Sequence, residues 1–326
     1  MPELTYLQAI NHTLAAALRS DPRVFIMGED VAEGGPFGAT AGLADEFGRE
    51  RVRDTPISEG TICGVAIGAA QAGLRPVVEI MFIDFLTLAL DQLVNQAAKA
   101  HYMSGGQLCV PLVLRTQGGA GQRAAAQHSQ LLETWVTHVP GLKVVMPSTA
   151  EDAAGLLHTA IADPNPVVYI ENKALYFRKF PVAEAVEPIP FGKAAVRRPG
   201  RDLTVVATSR LVGEALAAAE RLAEQDIEVE VIDPRSLVPL DLETLLTSLS
   251  RTHRLIVAHE AVGPGGIGGE IVAQLQSAGF DQLDAPVERV AAPFTPVPFS
   301  PPLEDAYLPG QDEIVAAALR LLGYRL

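Results

Sequence analysis

Residues Asp54-Thr55-Pro56-Ile57-Ser58-Glu59-Gly60, followed by an apolar, glycine-spaced run over 61–70, set how the rest of the chain is read. Pro56 makes a turn, and the carboxylate of Glu59 then stands at the start of an apolar helix. Little water reaches such a group, which favours its neutral form and makes it a poised proton donor and acceptor. The same residues also describe an ordinary helix start, because Ser58 and Glu59 suit the positive end of the macrodipole.

Working outward, residues 4–19 carry apolar positions at a helical period, and 24–27 is a short buried strand ending in Gly28-Glu29-Asp30. Acids at the carboxyl end of a strand face a ligand crevice in α/β sheets or simply make a turn. Beyond Glu59 the chain predicts a strand over 77–82, a helix from Asp84 to 103 and a strand over 111–115. A glycine-rich loop, 117–123, then leads to Gln127-His128-Ser129-Gln130. His128 is either a satisfied structural histidine or a catalyst placed after a mobile loop. A strand over 142–146, a capping box at Ser148 and Glu151, a helix to 162 and a strand over 167–170 complete the series. Alternating strands and helices of this kind imply a parallel sheet covered on both faces.

From 186 to 202 the composition shifts to proline, glycine and charge, so residues 1–185 and 203–326 read as two α/β domains with mainly parallel sheets and a linker between them. In the second domain strands are predicted over 203–207, 227–232, 255–258 and 287–291, with helices over 212–224, 242–249 and 267–278. Seven prolines between Pro286 and Pro309 predict extended chain before a last helix over 314–322. Gly263-Pro264-Gly265-Gly266-Ile267-Gly268 spells a dinucleotide fingerprint. Against it, 259–262 lengthens what should be a tight turn and no acid ends a downstream strand, so a glycine-rich contact loop is the favoured reading and an NAD-binding dehydrogenase the disfavoured one.

At 326 residues and 48% hydrophobic, the chain suffices for two cores. A net charge of −14 argues against nucleic acid or an anionic membrane as partner. Two cysteines without metal spacing fit a reducing compartment. With no export signal and no apolar run long enough to span a bilayer, a cytoplasmic protein is expected. A mean hydropathy of +0.20 suggests that subunit contacts cover apolar surface.

As a set, Gly28-Glu29-Asp30-Val31, Arg51-Val52-Arg53-Asp54-Thr55-Pro56-Ile57-Ser58-Glu59, Gln92-Leu93-Val94-Asn95-Gln96-Ala97-Ala98-Lys99, His128-Ser129-Gln130 and Pro140-Gly141-Leu142-Lys143-Val144 resemble the beta subunit of the thiamine-diphosphate-dependent decarboxylating component of 2-oxo acid dehydrogenase complexes. The resemblance covers essentially the whole chain. It implies a pyrimidine-binding thiamine-diphosphate fold followed by a transketolase C-terminal-like domain. It also implies that Glu59 bonds the aminopyrimidine N1′ and shares a proton there, with Glu29, Ile57, Met81 and Phe85 at the cofactor and His128 assisting proton or acyl transfer. Ile57, Met81 and Phe85 read equally as ordinary core.

The chain contains no Gly-Asp-Gly followed by asparagine, the segment that holds diphosphate and its metal. The resemblance therefore implies half a site. Magnesium and diphosphate would belong to an alpha subunit in a heterotetramer of two alpha and two beta chains, which passes its acyl group to a lipoyl acyltransferase core. In some relatives a potassium ion sits on backbone carbonyls at positions matching Leu112, Ala160, Ile161, Asp163 and Asn165, residues that Asp163-Pro164 helix termination explains as well. Glu79-Ile80-Met81-Phe82 and the sequence before His128 look more like pyruvate or acetoin members than branched-chain ones, while Gln117 replaces a proline common in relatives. A transketolase-like fragment or a non-catalytic docking subunit with a vestigial Glu59 remains the reading of another class.

Overall fold

Thr5 starts the first helix: its hydroxyl accepts the Gln8 N–H at 3.1 Å and Gln8 returns the bond to the Thr5 N–H, so the helix is Tyr6–Ser20 and not 4–19. In the computed structural model, which describes residues 2–323, that helix packs against Ala150–Ala162 over a parallel sheet. Across the sheet the strands run Lys143–Val145, Val167–Asn172, Val113–Gly118, Arg75–Ile80, Val24–Gly28 and Val52–Asp54. Leu14, Ile26, Val77, Val113 and Leu156 share one core. The chain adds Val52–Asp54 on one side of Val24–Gly28 and then crosses to add Arg75–Ile80 on the other. A reversal of this kind opens a crevice outside the carboxyl ends of the strands.

Contacts divide the chain into residues 1–118 with 135–191, and 119–134 with 192–326. The second unit has its own sheet, ordered Glu288–Ala292, Leu255–Val262, Leu203–Ala207, Val229–Asp233 and Ala195–Arg198, with only the last strand antiparallel. Leu203, Val205, Leu211, Leu222, Ile256 and Ile314 fill its core.

Several expectations change. The supposed linker contains the edge strand Ala195–Arg198, held by Arg197 on Asp233 at 2.9 Å and Arg198 on Glu228 at 2.7 Å, and ion pairs give no apolar period to read. Residues 119–134 group with the second unit. The stretch 84–103 is not one α-helix: a 3₁₀ segment, Ile83–Ala89, passes into a π-helix, Gln92–Ala97, and then Ala98–Met103. Apolar spacing is nearly the same for a continuous and an interrupted helix, so the sequence hides the break. The second cap lies one residue later than expected, with Thr149 accepting from the Asp152 N–H. Within the proline-rich segment Pro301–Tyr307 is helical, because prolines in the first turn leave no hydrogen bond unmade. No helix among the described residues is long and apolar enough to cross a membrane.

Candidate active site

Glu29 and Glu59 both follow carboxyl ends of the two strands beside the switch point, Glu29 directly after Val24–Gly28 and Glu59 as the first residue of the helix Glu59–Gln71. Glu59 is 7% exposed. It lines an open cleft of about 630 Å³ with Ser58, Gly60, Thr61, Gly64, Val65, Leu88 and Gln92. Ser58 does not cap the helix; its hydroxyl donates to Thr61 Oγ1 at 2.7 Å. Burial raises the Glu29 carboxyl above its ordinary range, and the nearby charges of Glu59 and Asp30 push it further. One turn along the helix, Cys63 is pushed up to about 12 by burial and by Glu59. The charge of Glu59 is thus felt by both neighbours.

The glycine spacing has a packing reason. A Cβ on Gly60 would stand 3.2 Å from the Leu88 carbonyl, and one on Gly64 3.5 Å from Gln92 Oε1. These close approaches bring Leu88 and Gln92 to the cleft, neither of which the sequence singled out. Gln92 opens the π-helix, an irregularity frequent at functional sites, and Asn95 Nδ2 is held by Asp91 at 2.7 Å. The far end of this segment meets the Pro140-Gly141 turn, where Lys99 Nζ donates to the Pro140 carbonyl at 2.8 Å.

Of the residues matched to the aminopyrimidine, Ile57 is 81% exposed and so is not core in this chain. Met81 and Phe85 are half-buried. Phe85 lies edge-on to Phe82 at 5.8 Å, and Phe82 edge-on to Phe37 at 6.1 Å, so an aromatic row follows the strand Arg75–Ile80. Beneath it Arg115, 0% exposed, joins Glu171 at 2.7 Å and Glu79 at 2.6 Å, with Tyr176 Oη donating to Glu171. Gln117 Nε2 donates to Glu79 at 3.2 Å, a bond that proline could not make.

His128 is half-buried on the loop 119–132 of the second unit. The structure brings Glu29 and Glu59 together; His128 it places in a separate unit. The five possible potassium positions already carry hydrogen bonds: the Leu112 carbonyl accepts the Val167 N–H, that of Ala160 the Asp163 N–H, and those of Ile161 and Asp163 accept Arg75 Nη1 at 2.7 and 3.4 Å. The Asn165 N–H and Lys143 both bind the Asp163 carboxylate. A carbonyl has a second lone pair, so one hydrogen bond does not exhaust it.

The glycine fingerprint serves another purpose. The preceding strand continues through Val262, so the turn is short after all. Its glycines seat the buried His259: a Cβ on Gly266 would lie 2.4 Å from His259 Cε1, and one on Gly268 2.7 Å from Cδ2. The glycines are thus explained by close packing on a buried imidazole.

Comparison with known proteins accords with this architecture. The transketolase pyrimidine-binding domain family matches residues 2–179, and the transketolase C-terminal domain family residues 192–314. The beta subunit of acetoin:2,6-dichlorophenolindophenol oxidoreductase from Bacillus subtilis is 50% identical, over 97% of this chain and 96% of its own. The pyruvate dehydrogenase E1 component beta subunit of Rickettsia felis is 45% identical over 99% of both, and the mitochondrial beta-2 subunit of Oryza sativa 47% identical over 98% and 86%. A split-gene transketolase solved as an inactive beta4 tetramer shares the fold at a TM-score of 0.82, with 22% identity over 99% of each chain. With both transketolase-type domains in order and near-full-length identity to such subunits, the chain belongs to the family of E1 beta subunits of thiamine-diphosphate-dependent 2-oxo acid dehydrogenases.

Proposed function

We propose that this beta subunit forms the pyrimidine half of a thiamine-diphosphate site, and that with an alpha subunit it decarboxylates pyruvate and passes the acyl group to lipoamide. The observation that carries this is Glu59, buried at the wall of an open cleft beside Glu29. These residues fit an aminopyrimidine: one enclosed carboxylate for a ring nitrogen, and the exposed apolar Ile57 two residues away for a flat ring face. When bound, the cofactor supplies the electron-accepting chemistry by which a 2-oxo acid loses carbon dioxide.

The chain's own contribution is orientation and proton control. Glu59 holds a proton at the pyrimidine N1′. Glu29, whose neutral form burial favours, keeps two charges from facing each other. Met81 and Phe85 exclude water from the ring face. His128 moves a proton during transfer to the lipoyl group. Magnesium and diphosphate would fall to the alpha chain, in an assembly of two alpha and two beta subunits, and the carbonyls of Leu112, Ala160, Ile161, Asp163 and Asn165 would hold a potassium ion. Two free thiols, Cys63 and Cys109, support a cytoplasmic location. Acetoin is the second substrate reading, supported by the 50% identity to an acetoin oxidoreductase subunit.

The test is reduction of 2,6-dichlorophenolindophenol with thiamine diphosphate and magnesium, by the chain alone and then with its alpha partner, in potassium or tetramethylammonium salts. Turnover of pyruvate only in the mixture is expected, faster with potassium. In the assembled complex Glu59→Gln should cost about 10²–10⁴ in kcat. A near-normal rate would remove Glu59 from the cofactor, activity of the chain alone would end the half-site reading, and turnover of acetoin but not pyruvate would change the substrate.

A further inference from the structure

The loop that carries His128 is pinned by two carboxylates that come from far along the chain. Glu260 Oε1 accepts the Ala120 N–H at 2.7 Å, while its other oxygen takes Arg210 Nε at 2.8 Å. Glu304, 0% exposed, accepts the Gly121 N–H at 2.8 Å through one oxygen. Its second oxygen accepts both the Arg123 N–H at 3.0 Å and Arg123 Nη1 at 2.6 Å. Arg123 Nη2 reaches Asp305 at 2.6 Å, and the Gly119 N–H closes the base of the loop on the Gln130 carbonyl. Backbone donors that neither strand nor helix uses are thus gathered by acids.

The loop needs that restraint. Arg123 and Ala125 have φ of 59° and 61°, left-handed values that residues with a Cβ keep only where the surroundings over-determine them. The groups facing Glu304 from the loop are all donors, so an acceptor-only carboxylate suits them and an amide does not.

We infer that Glu304, together with Glu260, is a positioning residue for His128, fixing the loop conformation that presents the imidazole to the reacting atoms. This rests on the catalytic role proposed for His128, and the test keeps the two separable. In the assembled alpha–beta complex, Glu304→Gln is compared with wild type and with His128→Ala. Hydrogen exchange over peptide 119–132 reports the loop directly and needs no turnover.

Faster exchange in Glu304→Gln is expected, with kcat lower on the order of 100-fold and KM little changed. Unchanged exchange would overturn the mooring. Faster exchange with normal kcat would overturn the positioning role; if His128→Ala then also keeps its activity, the role of His128 fails too, and if that variant is inactive only the positioning falls. Should Glu304→Gln fail to assemble, Arg123→Ala tests the same clamp from its more tolerant side, the arginine side chain being 35% exposed.

Discussion

Burial pushes the Glu133 carboxyl up to about 7; its own backbone amide pulls the other way and Glu260 adds to the rise. The fold binds this proton more tightly than the unfolded chain, whose group keeps a value near 4.5. Its contribution to stability is therefore complete below the unfolded value and is lost as pH rises toward 7, a swing of about 3 kcal/mol. Glu133→Gln removes the titration. Its melting temperature relative to wild type should climb between about pH 5 and about pH 8, and parallel curves across that range would refute the assignment. Sequence gives no hint of this behaviour, since a glutamate near a helix start is usually solvated. Glu59 differs: the apolar run behind it made its enclosure readable from the residues alone.

Between elements, Gly141 has little freedom. Its φ is +103°, and a Cβ there would lie 2.1 Å from the Ala98 carbonyl, so the turn and the helix touch through backbone. Gly141→Ala should cost about 2–5 kcal/mol from left-handed strain and overpacking together. A denaturation midpoint unchanged from wild type would mean that the turn can withdraw. This contact joins two stretches distant in sequence, one around Lys99 and one around Pro140. Strands such as Leu203–Ala207 were legible because both faces are buried and the run is wholly apolar but for Thr204. Ala195–Arg198 was not, because an edge strand secured by arginines looks like linker. The Pro301–Tyr307 helix was lost for a related reason: prolines signal extended chain unless they happen to open a helix. With that helix went Glu304, whose acceptor role depends on residues nearly two hundred positions earlier.

Taken whole, the molecule carries a net charge of −14. If it docks a basic subunit-binding domain of an acyltransferase core, affinity should fall steadily with ionic strength, because contacts between exposed charges are screened within about 8–10 Å at moderate salt. Calorimetry of the assembled enzyme with that domain at low and high salt checks this; a salt-independent Kd would assign docking to apolar contacts. The discontinuity of the second unit carries a different implication, for biosynthesis. Residues 119–134 leave the ribosome with the first unit's strands, whereas the acids that gather their amides stand at 260 and 304. Domains tend to fold from the amino end as they emerge, so the first unit can close around its sheet while the histidine-bearing loop still lacks its acceptors. The nascent protein thus has its Glu59 helix early, and acquires the shape of the His128 loop only once residue 304 has been made.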